Sequence, residues 1–431
     1  MLRRVVIASV LGNAFEWYDF SIYGMFAGLI AKLYFPSGEP LTSLMLALMS
    51  FGVGFAVRPI GGLFLGMYGD RVGRKRALSL TILMMAGGTA LIGIIPTYET
   101  LGIMAPVLII FARMIQGASA GGEFSGATTM LIEFAPANRR GLLGSFQMCA
   151  QALSFACGAA TVWLLQATLA PTELETWGWR LPFLFGILIG PLGWLIRSRV
   201  DESPEFVALE AGREHADRRP ARKRIRQLLS MYPREILVST GIAVIGTVSA
   251  YVLIVFLPLY AHQFGVEVAD TSRGTLFAMA IIFVLSPVAG YLSDVVGRKR
   301  ILAVSAVLYG VVVWVFLRNF VAFPTVSALM SLQVAAAVCM AFFWGIAPAI
   351  LAEAFPVEVR STGVSLTYNF AVLVFGGFAP SINIWLIKMT GSKLAPLYYI
   401  ELSVVIGLIS AFFMNDPHDH RIDVPATTEN I

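Results

Sequence analysis

Charge is scarce in this chain. Asp, Glu, Lys and Arg make up 13% of its 431 residues, about half the share of an average soluble domain. With 57% hydrophobic residues and a mean hydropathy of +0.77, this shortfall excludes an ordinary water-soluble globule. Metal-ligating and nucleophilic residues are scarce as well. The four histidines (His215, His262, His418 and His420) fall in loops or near expected helix ends, so no nucleophile–base pair or ligand set assembles around them. The run from His418 to His420 reads as a chance cluster. The three cysteines (Cys149, Cys157 and Cys339) lie inside apolar stretches and read as small core residues, not as a disulfide or zinc set. An enzyme is therefore not expected, and neither is a cofactor or a resident metal. A cleavable-signal pattern is also missing: the first apolar stretch, Val5 to Leu33, is too long and too acidic for a signal-peptide core. The formal net charge of +5 does not point to nucleic acid, because a membrane protein becomes basic through its topology alone.

What the chain has is long apolar runs. A helix needs about 20 such residues to cross a bilayer, and twelve segments qualify: 5–33, 42–68, 77–95, 101–132, 142–168, 180–199, 235–262, 272–292, 301–320, 324–352, 362–388 and 395–414. Lysine and arginine concentrate in short cytoplasmic loops. With the N-terminus inside, 23 of the 31 basic residues fall on that side. Six (Lys32, Arg180, Arg273, Arg318, Lys388 and Lys393) fall on the other, and Arg58 and Arg113 lie inside helices. Both termini are thus expected in the cytoplasm. The expectation is an all-α membrane protein of twelve transmembrane helices. One six-helix bundle covers 1–199, a basic linker 200–234 runs near anionic headgroups, a second bundle covers 235–415, and 416–431 form a cytoplasmic tail.

Two echoes mark the bundles as related. The charged hinge GMYGDRVGRKR (Gly66 to Arg76) returns 224 residues later as Gly290, Asp294, Gly297, Arg298, Lys299 and Arg300. Glu133, Pro136 and Arg140, after helix four, return 220 residues later as Glu353, Pro356 and Arg360, after helix ten. Parallel six-helix repeats are a transporter architecture, with the substrate between the halves near the bilayer midplane.

These residues resemble the major facilitator superfamily. The hinge matches its G-x-x-x-D-R-x-G-R-K loop between helices two and three, and Arg113, Gln116 and Gly117 match its R-x-x-Q-G motif in helix four. Within the superfamily the chain is similar to the metabolite:proton symporters. The matching pieces are GNAFEWYDF (Gly12 to Phe20), RPIGG (Arg58 to Gly62), RMIQGASAGGE (Arg113 to Glu123), RRGLLGSFQ (Arg139 to Gln147), WGWRLPF (Trp177 to Phe183), DESPEF (Asp201 to Phe206) and EAFPVEVRSTG (Glu353 to Gly363). The resemblance implies the major facilitator fold in a bacterial inner membrane, working as a monomer with protons and a small-molecule substrate. The cargo it implies ranges from citrate, 2-oxoglutarate and shikimate to zwitterionic osmolytes such as proline and betaine. Drug antiporters of the superfamily carry a proline motif in helix five, where this chain reads CGAATVWLL (Cys157 to Leu165).

Ionisable residues within a bilayer are costly and mark functional sites. In helix one, Asn13, Glu16, Phe20 and Tyr23 share one face, with Asp19 one position off it. At about 1.5 Å per residue, Glu16 and Asp19 lie roughly 16 and 21 Å from the cytoplasmic end, and Arg113 roughly 18 Å from the outer end of helix four. An ion pair between helices one and four is therefore expected. On this reading Arg113 grips a substrate carboxylate while Glu16 or Asp19 takes up the proton, and Glu123 is a relay nearer the cytoplasm; a permanent structural pair is the alternative. Gln116, Gln147 and Gln151, with Asn13 and Tyr23, are candidate substrate contacts in the first half. Trp344, Tyr368 and Asn369 are their counterparts in the second. Arg58, Asp70, Arg71, Arg74, Glu133, Arg140, Asp294, Arg298, Glu353 and Arg360 are expected to form the cytoplasmic gate. The leading function is symport of a small organic anion, with import of an osmolyte as the alternative.

Overall fold

A computed structural model describes residues 13–14, 17–72, 74–187, 228–357 and 359–415, with the backbone only at 63, 66–67, 69–72 and 74–79. Glu16 and the side chains of Asp70, Arg71 and Arg74 lie outside this description, as do most of the linker and the tail.

The apolar runs become helices because a backbone in hydrocarbon must satisfy its hydrogen bonds within its own segment. They are α1 (described over 17–25 and Ala27–Tyr34), α2 (Pro40–Val72), α3 (Arg74–Ile94), α4 (Met104–Ala120 and Glu123–Glu133), α5 (Arg140–Thr168) and α6 (described over 181–187). The second half supplies α7 (Pro233–Tyr251 to Leu257–His262), α8 (Val268–Val296), α9 (Arg298–Ala322), α10 (Val326–Glu353), α11 (Arg360–Ala371 to Ala379–Thr390) and α12 (Ala395–Phe413). Among the described residues nine of these are long and apolar enough to cross a membrane, and Leu80–Ile94 of α3 is a shorter apolar helix. Together with α1 and α6 they fill the twelve expected positions.

Three helices are interrupted within their length. α4 breaks at Gly121 and Gly122. α7 carries a π turn at Val252–Phe256 just before Pro258, and α11 one at Val372–Gly376 before Pro380. Proline has no N–H to give to the preceding turn, and a π turn shifts the ladder by one residue at such a point. Leu257 and Gly377 accordingly donate to the carbonyls five residues back, Val252 and Val372.

Glycines set how closely α2 and α4 pack. A Cβ on Gly117 would overlap the Gly54 carbonyl, one on Gly61 would strike the Ala118 backbone, and one on Gly121 the Arg58 carbonyl. The two backbones are thus in contact, as small residues permit between membrane helices.

The halves touch at both membrane faces. Near the buried centre Phe51 and Phe55 of α2 stand edge-on to Tyr251 of α7, and Phe378 packs over Gly52. Above them Lys388 of α11 donates to Glu39 at 2.5 Å and to Thr42 Oγ1 at 2.9 Å. The Lys388 ammonium, followed by the Thr42 hydroxyl, holds the Glu39 carboxyl below its ordinary 4.5. A lowered carboxylate value means that the pair contributes fully above that ordinary value and is lost as pH falls through the lowered one. Amide exchange at residues 37–39, just before α2, corrected for its intrinsic rate, should stay flat from neutral pH down to about 5 and rise only in stronger acid. Lys388→Gln should show the raised level throughout.

Candidate functional site

The first-half side chains singled out in the sequence converge in the buried centre. Asn13, Tyr23, Arg113, Gln116 and Gln147 have no exposed surface, and Arg58, Asp19 and Gln151 have almost none. Helical spacing brings α1 and α2 together through aromatic rings. Phe20 packs against Phe55 at 5.1 Å, and Tyr23 stacks on Phe51 at 6.1 Å.

These rings receive both arginines. The Arg113 guanidinium lies 4.7 Å from the Phe20 ring, 4.5 Å from Tyr23 and 5.0 Å from Phe51. The Arg58 guanidinium lies 4.7 Å from Phe20, 4.6 Å from Phe55 and 5.2 Å from Trp17. Away from water such contacts are worth about 2 kcal/mol each, which offsets part of the cost of burying two cations. Phe20 is shared between them.

The expected ion pair between helices one and four is replaced by a bridged arrangement. Among the described residues no carboxylate forms an ion pair with Arg113. Its Nη1 donates to Gln116 Oε1 at 2.8 Å, and its Nη2 to the Phe51 carbonyl at 3.4 Å. Gln116 Nε2 then donates to Thr89 Oγ1 at 2.7 Å, and Thr89 donates to Asp19 Oδ2 at 2.5 Å. The physical reason is the one-residue offset of Asp19 from the Asn13–Phe20–Tyr23 face, which turns its carboxylate toward α3. Gly88 clears the way, because a Cβ there would press on the Gln116 side chain. Thr89 is absent from the sequence reading. Its signal is a buried hydroxyl within the apolar run MMAGGTALIGI (84–94).

A second polar stripe runs along α5. Gln147, Gln151 and Ser154 are four and three residues apart and face α1, where Asn13 Nδ2 reaches the Gln147 carbonyl at 3.5 Å and Trp17 packs on Phe155. Among the described residues, both side-chain polar atoms of Gln147, Nε2 of Gln151, Oγ of Ser154 and Nε1 of Trp17 have no hydrogen-bond partner. A buried polar group costs about 1–3 kcal/mol if left unsatisfied, so this stripe is suited to a polar ligand. The Tyr23 hydroxyl is instead engaged with Ser50 at 2.5 Å.

The second-half candidates take other positions. Tyr368 stacks on Phe124 at 3.7 Å, and Asn369 donates to the Gly121 carbonyl at 2.9 Å. Both meet α4 at its break, beside Glu123, and not at Arg113. Trp344 is buried against Gly246 of α7.

On the cytoplasmic side the described gate residues assemble across the halves. Asp294 accepts from the backbone N–H groups of Gly141 and Leu142, at 2.8 and 2.9 Å, and so caps the start of α5. Arg298 joins Asp294 to Glu353, Arg140 approaches Glu353 at 4.0 Å, and Arg360 pairs with Glu133 at 3.8 Å.

Comparison with known proteins agrees with this architecture. A family profile described as sugar (and other) transporter matches residues 5–240, and one described as Major Facilitator Superfamily matches residues 241–429. A proline/betaine transporter of Escherichia coli (strain K12) is 32% identical over 426 residues, covering 96% of this chain and 84% of that protein. A citrate-proton symporter of Klebsiella pneumoniae is 35% identical over 408 residues, covering 94% and 89%. The partially occluded inward-open structure of the xylose transporter XylE from E. coli superposes with a TM-score of 0.74 at 16% identity, covering 100% and 99% of the two chains. That likeness is one of fold.

Proposed function

Because the chain belongs to the major facilitator superfamily, a multi-pass transporter of a bacterial cytoplasmic membrane, we propose that it is a proton-coupled symporter of a small organic acid, such as a di- or tricarboxylate. A monomer works by alternating access. The bundles 1–199 and 235–415 rock against each other, tethered by the linker 200–234, and the tail 416–431 stays cytoplasmic.

One observation carries this reading: a buried carboxylate, Asp19, and a buried guanidinium, Arg113, are linked through two neutral side chains. Arg113 offers its fork to a substrate carboxylate, and Asp19 takes up the proton, with Glu16 on the same helix as the other candidate. Uptake of a proton by Asp19 removes the negative charge that competes with the anion for Arg113. Gln147 and Gln151 offer neutral hydrogen bonds to the remaining polar atoms of the substrate, alongside Asn13, while Tyr23 and Gln116 support the site through Ser50 and Arg113. Tyr368 and Asn369 hold the second half to the break in α4 and not to the cargo, which leaves Trp344 as the second-half contact. Arg58 lies not at the gate but among the Trp17, Phe20 and Phe55 rings beside Arg113, and Glu123 hands the proton on toward the cytoplasm. The Glu133–Arg360 and Arg140–Glu353–Arg298–Asp294 contacts, with Asp70, Arg71 and Arg74, form the cytoplasmic gate. Such contacts bias the equilibrium between states and break when the gate opens.

A second reading, uptake of a zwitterionic osmolyte, is favoured by the ring cluster of Trp17, Phe20, Tyr23, Phe51 and Phe55. Rings that hold cationic guanidiniums also suit a quaternary ammonium. Proteoliposomes with an imposed pH gradient, offered labelled citrate, 2-oxoglutarate, shikimate, proline and glycine betaine, separate the two. Accumulation of a carboxylate alone supports the first reading, and accumulation of proline or betaine alone replaces it with the second.

A further inference from the structure

Thr89 is the single described side chain that hydrogen-bonds both to Asp19 and to a partner of Arg113. It is fully buried on α3. Its hydroxyl has one proton and two acceptors within reach, Asp19 Oδ2 at 2.5 Å and the Met85 carbonyl at 2.9 Å. An ionised carboxylate is the stronger acceptor and takes that proton. Every donor along the line then points toward Asp19: Arg113 into Gln116, Gln116 into Thr89, Thr89 into Asp19. A neutral carboxylic acid has a proton of its own to donate. Facing Thr89 it would present O–H against O–H, and the Met85 carbonyl offers the threonine proton another place to go.

We propose that Thr89 is the positioning residue that carries the protonation state of Asp19 to Arg113, by turning its hydroxyl between the Asp19 carboxylate and the Met85 carbonyl. This rests on the reading that Asp19 takes the coupling proton and Arg113 the anion. A proton arriving from water adds to Asp19. The new acid donates to Thr89 Oγ1, and the threonine O–H rotates to Met85 with no proton leaving it. Thr89 Oγ1 now accepts from Asp19 and from Gln116 together, without a carboxylate to polarise it. Its hold on Gln116 Nε2 weakens, and so does the grip of Gln116 on Arg113. The guanidinium fork is freed for the incoming anion. Ionisation of Asp19 reverses each step and tightens Arg113 back onto Gln116 when the cargo leaves. Among the described residues, the charged and titratable groups in electrostatic contact with Asp19 include Arg113 on α4 and Tyr18 on its own helix, while Arg58 on α2 acts on Arg113. Gly186 of α6 closes the last side, since a Cβ there would touch Thr89 and approach Asp19. None of these groups connects Asp19 to Gln116 by hydrogen bonds as Thr89 does.

The test uses the full chain in proteoliposomes. Half-saturation for exchange is measured from about pH 6 to about pH 8 with labelled 2-oxoglutarate or glycine betaine, neither of which titrates in that range. Coupled sites change each other's affinity by about fivefold or more, and the wild type should show a change of that size across the range. Thr89→Val and Thr89→Ala should flatten it to under about twofold while still catalysing exchange, and Thr89→Ser should restore it. A residue that merely packed would leave the pH profile unchanged. If Asp19→Asn is flat but Thr89→Val and Thr89→Ala keep the wild-type profile, the role of Thr89 is overturned and that of Asp19 stands. A flat wild type, an Asp19→Asn variant with the wild-type profile, or exchange of neither probe overturns the underlying reading and this proposal with it. Exchange-competent Thr89→Ser that stays flat also overturns it, because the hydroxyl is then not the active element.

Discussion

Arg113→Ala is expected to abolish concentrative uptake of an organic acid. The guanidinium is fully buried, so a substrate carboxylate in its place of action would face no competing water. Hydrogen bonds to charged groups are worth about 1.5–3 kcal/mol, and each 1.4 kcal/mol is about tenfold in affinity, so a two-pronged contact should cost roughly a hundredfold. Arg113→Lys should fail nearly as badly. A compact ammonium cannot reproduce the fork, and it would leave Gln116 Oε1 or the Phe51 carbonyl without its donor. Labelled 2-oxoglutarate uptake under an imposed pH gradient is the measurement, with a size-exclusion profile to verify that the variant is folded. Uptake by folded Arg113→Ala at the wild-type rate would refute the arginine assignment.

Gly117→Val is expected to have the second large effect, on folding and not on chemistry. Any Cβ at this position enters the carbonyl of Gly54 on the neighbouring helix. An overpacked core usually loses about 1–3 kcal/mol by shifting flexible side chains, but here the obstacle is backbone and cannot rotate away. α2 and α4 must separate along their contact, which also carries the Gly61–Ala118 and Gly121–Arg58 approaches. The loss should exceed about 3 kcal/mol, seen as a collapsed yield of monodisperse protein and a large fall in thermal midpoint in detergent. The neighbouring Gly122→Ala, where a Cβ would meet nothing within 4 Å, serves as the control and should be close to neutral. A normal thermal midpoint for Gly117→Val would show that the two helices do not pack backbone to backbone.

Much of the architecture was legible in the chain itself. Helix count, order and orientation follow from apolar run length and from where lysine and arginine fall, because both respond to the bilayer and not to any particular neighbour. The repeat of the charged hinge was legible for a simpler reason: Asp294 and Arg298 echo Asp70 and Arg74 at fixed spacing, and spacing survives in a sequence. The central arginine was legible because an ionisable residue within a membrane stands out against its surroundings.

The partners of these residues were not legible. Asp19 and Arg113 lie at matching depth, so the chain alone allows them to pair directly. That they are bridged by Thr89 and Gln116 depends on which way Asp19 turns about α1 and on Gly88 leaving room on α3. Asn369 and Tyr368 carry the polarity and aromaticity of a binding site, yet the break in α4 takes them to Gly121 and Phe124. Glu39 and Lys388 are ordinary surface charges 349 residues apart until the halves close and bring them to 2.5 Å. The sequence by itself determined what must lie in the membrane, how often it crosses and in which direction, since water and lipid read composition along one dimension. Only the tertiary structure decided which buried group answers which, because rotation about a helix axis and the approach of two backbones are set jointly by residues far apart in the chain.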